Sequence, residues 1–358
     1  MSEFFPDPLA KARLADAEIE AALHLLTRED VSEESKSEFL SVLHRRGETA
    51  AELAGFARAI LNRGTKVLIK RDPGSPLLEL CGTGGDRAGF LNISTAAMFV
   101  AAGAGARVVK HGNRGVSSRC GSADVLEALG ISLHLKPSSP SSVLEQAGSV
   151  FLLASDFHPV IGSLASLRRS LAAKGQMTIF NLLGPLLNPA LPDVQLTGIF
   201  NPGQLKLYAE ALGILGRITA WAVHGEGLQS EGGVDELSIT GPSKVVAFHQ
   251  RNDEEGGLLR EFIINPRELG FSAIESPERL LGGDAPSNAQ RIQSILSGQE
   301  AGPARDMIVL NAAAALHLAG RGATLQESLS LAVESITSGE ASRALDRLRE
   351  SSKAHSAN

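Results

Sequence analysis

The sequence has only two cysteines, Cys81 and Cys120, in 358 residues. That excludes a disulfide framework and leaves no metal-ligand spacing, so both are expected to be reduced thiols. No stretch approaches the roughly 18 consecutive apolar residues that a membrane span needs. The opening, MSEFFPDPLAKARLADAE, lacks the basic-then-apolar order of a secretion signal. The expectation is a cytoplasmic protein with no membrane partner. A cationic surplus is missing too: 34 Lys and Arg stand against 40 Asp and Glu, a net charge of −6. No global field draws nucleic acid, so any phosphate site must be local. Trp and Tyr occur once each.

What is present is an ordinary globular composition, 43% apolar and 21% charged, long enough for two domains. The first 65 or so residues carry three helical stripes. These are Ile19-Ala22-Leu23-Leu25-Leu26, Phe39-Leu40-Val42-Leu43 and Leu53-Phe56-Ala57-Ile60, and Gly64 is a natural stop. Lys70 to Pro76 has linker composition and marks a boundary. Beyond it, short apolar runs at 77–81, 107–110, 131–135, 150–153, 196–200 and 219–224 alternate with helical stretches at 94–104, 122–129, 140–147 and 204–215. That alternation predicts a largely parallel sheet with crossover helices. Strands are also expected at 235–237 and 244–248, an exposed loop at 250–260, and a helical tail from 288.

Chemistry concentrates in residues 82–124. The apolar run Leu77 to Cys81 leads into Gly82-Thr83-Gly84-Gly85-Asp86, and Asn92-Ile93-Ser94-Thr95 opens a helix. Strand, tight turn and helix N-terminus aim backbone N–H groups at one spot, which suits phosphate. Taken alone, such a turn also simply tightens the chain, and Ser94 and Thr95 could be plain N-caps. Lys110 ends the next strand, however, and His111 to Ser118 supplies further donors. Two neighbouring strand ends with phosphate-compatible donors outweigh one. Asp235-Glu236 is either a solvated turn or a Mg2+ site, since Mg2+ takes one or two carboxylates plus phosphate oxygens. His111, His158 and His224 lie far apart and read as structural, and no nucleophile–base pattern emerges.

GTGGD, NIST, KHGNRGVSS, GSAD, FNLLGPLLNP and the Asp-Glu pair, in this order, resemble the anthranilate phosphoribosyltransferases. The likeness runs nearly end to end, including Arg46 to Thr49 and Leu310-Asn311-Ala312-Ala313. It implies a small N-terminal helical domain plus a larger α/β domain with a mainly parallel sheet and a helical C-terminal segment. That is the fold shared with pyrimidine nucleoside phosphorylases. The expected division is 1–69, completed by a segment near 163–190, and 70–358, in a homodimer. The implied reaction is Mg2+-dependent transfer of the phosphoribosyl group of 5-phosphoribosyl 1-diphosphate to anthranilate. The residues implied for the donor are Gly82, Gly85, Asp86, Asn92, Ser94, Thr95, Lys110, His111, Gly112, Asn113, Arg114, Gly115, Val116, Ser117, Ser118 and Ser122. Ser94, Asp235 and Glu236 would hold Mg2+. Asn113 and Arg168 would contact anthranilate, with Lys110, Asp235 and Glu236 as the catalytic set.

The chain departs from the family pattern at three places. Phe90 stands where a Thr is usual and cannot offer phosphate a hydroxyl, a loss that Arg87 is expected to offset. Asp156 brings a carboxylate beside an anionic acceptor, which is repulsive unless paired. The segments 170–177 and 226–232 are longer than usual. A different aromatic amine or N-heterocycle as acceptor, or a non-catalytic nucleic-acid-binding relative, are the rival readings. Retention of Lys110, Ser94, Asp235 and Glu236 argues against the second.

Overall fold

The computed structural model describes residues 5–86, 88–115, 120–227, 233–251, 257–272, 274 and 277–357. Three helices open the chain: α1 (Asp16–Thr27), α2 (Glu33–Arg46) and α3 (Ala50–Arg63). The start of α3 is fixed by a capping box in which Thr49 accepts from the Glu52 N–H and Glu52 accepts from the Thr49 N–H. Such a cap is worth about 1 kcal/mol. The buried Glu52 carboxylate also accepts from Arg46 and from the Leu14 N–H at 2.7 Å. Burial pushes Glu52 upward, but Arg46, the Leu14 and Thr49 N–H groups and the Thr49 hydroxyl outweigh it and hold the group low.

The larger part alternates strand and helix, as the sequence predicts: β1 (Leu77–Gly82), α4 (Ile93–Gly103), β2 (Arg107–Gly112), α5 (Ser122–Ala128), α6 (Pro140–Ala147) and β3 (Ser149–Leu153). Three helices follow β3, namely α7 (Ala154–Phe157), α8 (Pro159–Ser163) and α9 (Ala165–Ala173). Short 3-10 turns at Ile179–Asn181 and Gly184–Leu186 lead to β4 (Val194–Gly198). Next come α10 (Leu205–Ile214), β5 (Thr219–Gly225), β6 (Ser243–His249) and β7 (Leu258–Ile264). The tail is α11 (Ala285–Leu296), α12 (Pro303–Leu318), α13 (Leu325–Thr337) and α14 (Glu340–Ala354).

The strands form one sheet in the order β3-β2-β1-β4-β5-β6-β7. Pairing is parallel from β3 through β5 and antiparallel for β6 and β7. Successive strand residues face opposite sides, and the two faces build two cores. Trp221, Val223, Val245 and Ala247 join α4 and the C-terminal helices on one side. Ala220, Ala222, Val246 and Phe248 join α1 to α3, α10 and residues 164–187 on the other.

Four expectations are corrected. Residues 131–135 are not a sheet strand, because β3 already pairs with β2 on that side. The segment runs instead against the C-terminus, through a lone Leu135–Ser356 bridge and an Ala357 N–H to His134 carbonyl bond of 2.9 Å. Residues 235–237 form no strand either. The run expected at 196–200 pairs two residues earlier, at Val194–Gly198. The loop expected at 250–260 ends early, since β7 starts at Leu258. An edge strand exposed over most of its length carries no alternation to read.

Candidate active site

The crossover from β1 runs to β2, whereas the chain leaving β3 returns to β4 on the far side of β1. The strand order therefore reverses between β1 and β4, and ligands of open parallel sheets bind at that crevice. Residues 82–86 turn within it. Gly84 and Gly85 have φ of 70° and 90°, which a side chain would strain. The Gly84 N–H donates to Asp235 Oδ2 at 2.7 Å, across 151 positions of sequence. At the start of α4 the Ser94 N–H donates to Glu236 Oε1 at 3.2 Å. From β2 the buried Lys110 Nζ donates to Ser94 Oγ at 3.1 Å and to the Leu80 carbonyl at 2.6 Å. Gly84, Ser94, Lys110, Asp235 and Glu236 thus join in one hydrogen-bonded cluster. Two carboxylates occupy the backbone donors that suit an anion.

The electrostatics of this cluster follow from burial. Asp235 is pushed up to about 7, first by burial and then by neighbouring Asp86, with the Gly84 N–H opposing. Burial and Asp235 raise Glu236 well above the ordinary carboxylate range, against the pull of Lys110. Burial draws Lys110 down, while Cys81, Glu236, Glu79 and Asp235 favour its charged form. Carboxylates crowded round one ammonium leave room for a cation. Among the described residues no group of three or more His, Cys, Asp or Glu forms a complete metal cage. Asp235, Glu236 and the Ser94 hydroxyl are instead a small set of oxygen donors, the kind that fits Mg2+ when water and phosphate oxygens fill the rest of its shell.

The other expected residues sort as follows. Asn92 is the N-cap of α4, so Ser94 and Thr95 lie inside the first turn instead of capping it. Asn92 donates to the Cys120 carbonyl at 3.1 Å and accepts from Asn288 at 3.0 Å. Asn113 and Gly115 leave β2 exposed to solvent. Asp124 gathers the loop by accepting from the Gly115 and Gly121 N–H groups at 2.8 and 2.9 Å. A side chain on Gly112 would strike Ser122, whose hydroxyl donates to the Asn113 carbonyl at 3.3 Å. Arg114 pairs with Glu127 at 2.8 Å and with Asp124 at 3.3 Å, so carboxylates of α5 already engage it. Val116, Ser117, Ser118 and Arg87 lie outside the described residues.

On the acceptor side, Arg168 is exposed on α9, which follows from the C-terminal end of β3 beside β2. No ion pair engages its guanidinium among the described residues. His158 Nε2 lies 2.7 Å from the Leu187 carbonyl, and His224 Nδ1 lies 2.8 Å from that of Ile199. Both are structural, as expected. His111 packs edge-on against His158 with ring centres 5.1 Å apart, and burial lowers the pKa of both rings. Asp156 Oδ2 lies 2.9 Å from His134 Nδ1, a hydrogen-bond partner for one oxygen of the carboxylate. Phe90 bridges to Leu281, and the Leu91 N–H donates to the Leu280 carbonyl at 2.9 Å. The departing residue thus ties the donor loop to the C-terminal half.

Gly198, Asn288 and Asn311 were not legible as site residues. Each acts on a residue more than thirty positions away, and only Asn311 gave a local signal, as a polar residue within an alanine run.

Family models place residues 74–342 in the glycosyl transferase family, a/b domain, and residues 9–64 in its helical bundle domain. The chain is 43% identical over 334 residues to an anthranilate phosphoribosyltransferase of Rubrobacter xylanophilus, covering 93% of this chain and 92% of that one. One from Roseiflexus castenholzii is 45% identical over 309 residues, 86% of each chain. The crystal structure of the Thermus thermophilus enzyme superposes with a TM-score of 0.83 at 38% identity, over 95% of this chain and 96% of that one. The Saccharomyces cerevisiae enzyme in complex with PRPP and Mg gives 0.81 at 27% identity, over 96% and 94%. Fold and site thus define a two-domain glycosyl transferase. Within that class the chain belongs to the anthranilate phosphoribosyltransferase family.

Proposed function

We propose that this chain transfers the phosphoribosyl group of PRPP, 5-phosphoribosyl 1-diphosphate, to the amine of anthranilate with release of diphosphate. The observation that carries this reading is the meeting of Gly84, Ser94 and Lys110 with Asp235 and Glu236 at the reversal of strand order. Backbone donors of residues 82–86, the first turn of α4 and the 110–118 loop would bind the donor's phosphates. Asp235, Glu236 and the Ser94 hydroxyl would hold Mg2+. When bound, Mg2+ supplies Lewis-acid neutralisation of the leaving diphosphate.

The protein's own part is positioning and charge. As the C1–oxygen bond breaks, negative charge grows on the diphosphate and positive charge on the ribose. Lys110 lies buried where the leaving charge gathers, so its field is little screened by water. Anthranilate's aromatic amine is neutral near pH 7 and attacks without a strong base. The described site accordingly needs only to align amine and C1. Asn113 and Arg168 would receive the acceptor, Arg168 by pairing with its carboxylate. The proposed division is a helical domain of 1–69 completed by 163–190, since α1 to α3 and residues 164–187 share one core, set against an α/β domain of 70–358 whose α10 and one sheet face close that same core. A cytoplasmic homodimer assembled through the helical domain completes the proposal.

The direct test follows anthranilate fluorescence with the protein, PRPP and Mg2+. Magnesium-dependent loss of signal is expected. Its absence, with PRPP bound, would remove the assignment. For the acceptor, Arg168→Ala should raise the anthranilate KM roughly 10- to 100-fold, the weight of a lost charged hydrogen bond. The PRPP KM should stay within about twofold. A matching rise in both constants would place Arg168 elsewhere in the cycle.

A further inference from the structure

The acidic dipeptide belongs to no strand, yet it must be held where two carboxylates meet the glycine turn. Its support comes from two sides. Gly82 and Gly198 are register partners at the ends of β1 and β4. A Cβ on Gly198 would overlap the Asp235 carbonyl, and one on Gly82 would overlap the Asp235 carboxylate. These two glycines form a floor on which residue 235 rests. From above, Asn311 of α12 reaches down and pairs with the next residue but one. Its Oδ1 accepts from the Leu237 N–H at 3.0 Å, and its Nδ2 donates to the Leu237 carbonyl at 2.9 Å. The same amide donates to the Met307 carbonyl at 2.9 Å, within its own helix.

One side chain therefore satisfies both backbone groups of Leu237, as a neighbouring strand would. Asn311 is fully buried among Ala312 to Ala315. Asparagine is a poor helix former, and a buried carboxamide is costly unless each polar atom is paired. All three of its bonds are made, and two of them serve the segment that carries Glu236. Leu237 is fully buried as well, so the segment cannot slide without exposing unpaired backbone groups.

We propose that Asn311 is a positioning residue for the transfer reaction. With the Gly82–Gly198 floor, it clamps the Asp235–Glu236 dipeptide so that both carboxylates face the metal carried by the donor. The inference rests on the metal-site reading above and adds to it the residue that sets the site's geometry.

The test uses the full-length enzyme and two readouts. One is the Mg2+ concentration giving half-maximal turnover at saturating PRPP and anthranilate. The other is Mn2+ affinity of the enzyme–PRPP complex, measured by electron paramagnetic resonance. Asn311→Ala should raise the half-saturating Mg2+ and weaken Mn2+ binding by about tenfold or more. The anthranilate KM should remain within about twofold. Gly198→Ala displaces the dipeptide from the opposite side and should shift both metal readouts in the same direction, so one folded variant suffices. Ser335→Ala is the control. It removes a buried bond of 2.8 Å to the Val100 carbonyl, remote from the dipeptide, and should leave metal affinity unchanged.

Wild-type metal constants in folded Asn311→Ala or Gly198→Ala, with only a loss of thermal stability like that of Ser335→Ala, would overturn the clamp. Wild-type turnover that ignores Mg2+, or Mn2+ binding that survives Asp235→Ala, would instead overturn the metal-site reading beneath it. The two failures are thus separable.

Discussion

Asp235→Ala is expected to lower kcat by about 10²- to 10³-fold, the range found when one preorganised stabiliser of transition-state charge is lost. Without ligand, Asp235 serves as an acceptor for the glycine turn. Its Oδ2 accepts from the Gly84 N–H, so alanine frees that donor for phosphate, and PRPP binding should not suffer greatly. On the proposed metal site, what disappears is one of the two carboxylates that would hold Mg2+, and that loss would be felt as the diphosphate departs. The effect should therefore fall on kcat far more than on either KM. Asp235→Asn separates two roles, because the amide oxygen still accepts from Gly84 but carries no charge. Turnover of Asp235→Asn close to wild type would mean that Asp235 only tethers the glycine turn. A loss matching that of alanine would assign it to the metal. Steady-state kinetics across a magnesium titration decide between them.

The contrast between Asp235 and Lys110 shows which parts of the site a sequence exposes. Residues 82–95 and 107–115 are continuous stretches in which strand, turn and helix start follow one another within a few residues. Their hydrophobic period and glycine spacing place Gly84, Ser94 and Lys110 at adjacent strand ends before any coordinates are known. The dipeptide's partners cannot be read that way. Asn311 meets Leu237 across 74 positions and Gly84 meets Asp235 across 151. Neither pairing leaves a local period. Asp235 to Leu237 looks like a strand because Leu237 is apolar and buried, yet a side-chain amide satisfies its backbone where a neighbouring strand would. β7 failed for the opposite reason. It pairs fully with β6, but Leu258, Phe262 and Ile263 are exposed, so the outer edge of the sheet carries no inward-facing pattern. The 131–135 run has the right composition for a strand, but β3 takes the place beside β2 and the run lies against the C-terminus.

Lys110→Met is expected to separate activity from stability more sharply than any other change in this site. Methionine keeps the length of the side chain and removes its charge. Turnover should fall about 10²- to 10³-fold, since a buried ammonium beside the leaving diphosphate acts in a poorly screened medium. Folding should respond the other way. Burial disfavours the charged form of Lys110; removing one partner of a buried ion pair usually destabilises, but Glu79, Asp235 and Glu236 are themselves raised by burial and can take up a proton when the ammonium is lost. The bonds to the Leu80 carbonyl and Ser94 Oγ are lost. Against that, the half-buried Ser94 hydroxyl is partly open to water, and strand pairing already engages the β1 backbone. Thermal and urea midpoints should therefore remain at or above the wild-type values while kcat collapses. A variant that loses stability and activity together would show Lys110 to be chiefly a structural strut. Turnover within tenfold of wild type would show that the leaving charge gathers elsewhere. With the predicted split, the free energy spent on keeping an ammonium out of water between β1, β2 and α4 would be explained by catalysis, because the fold itself would do as well or better without it.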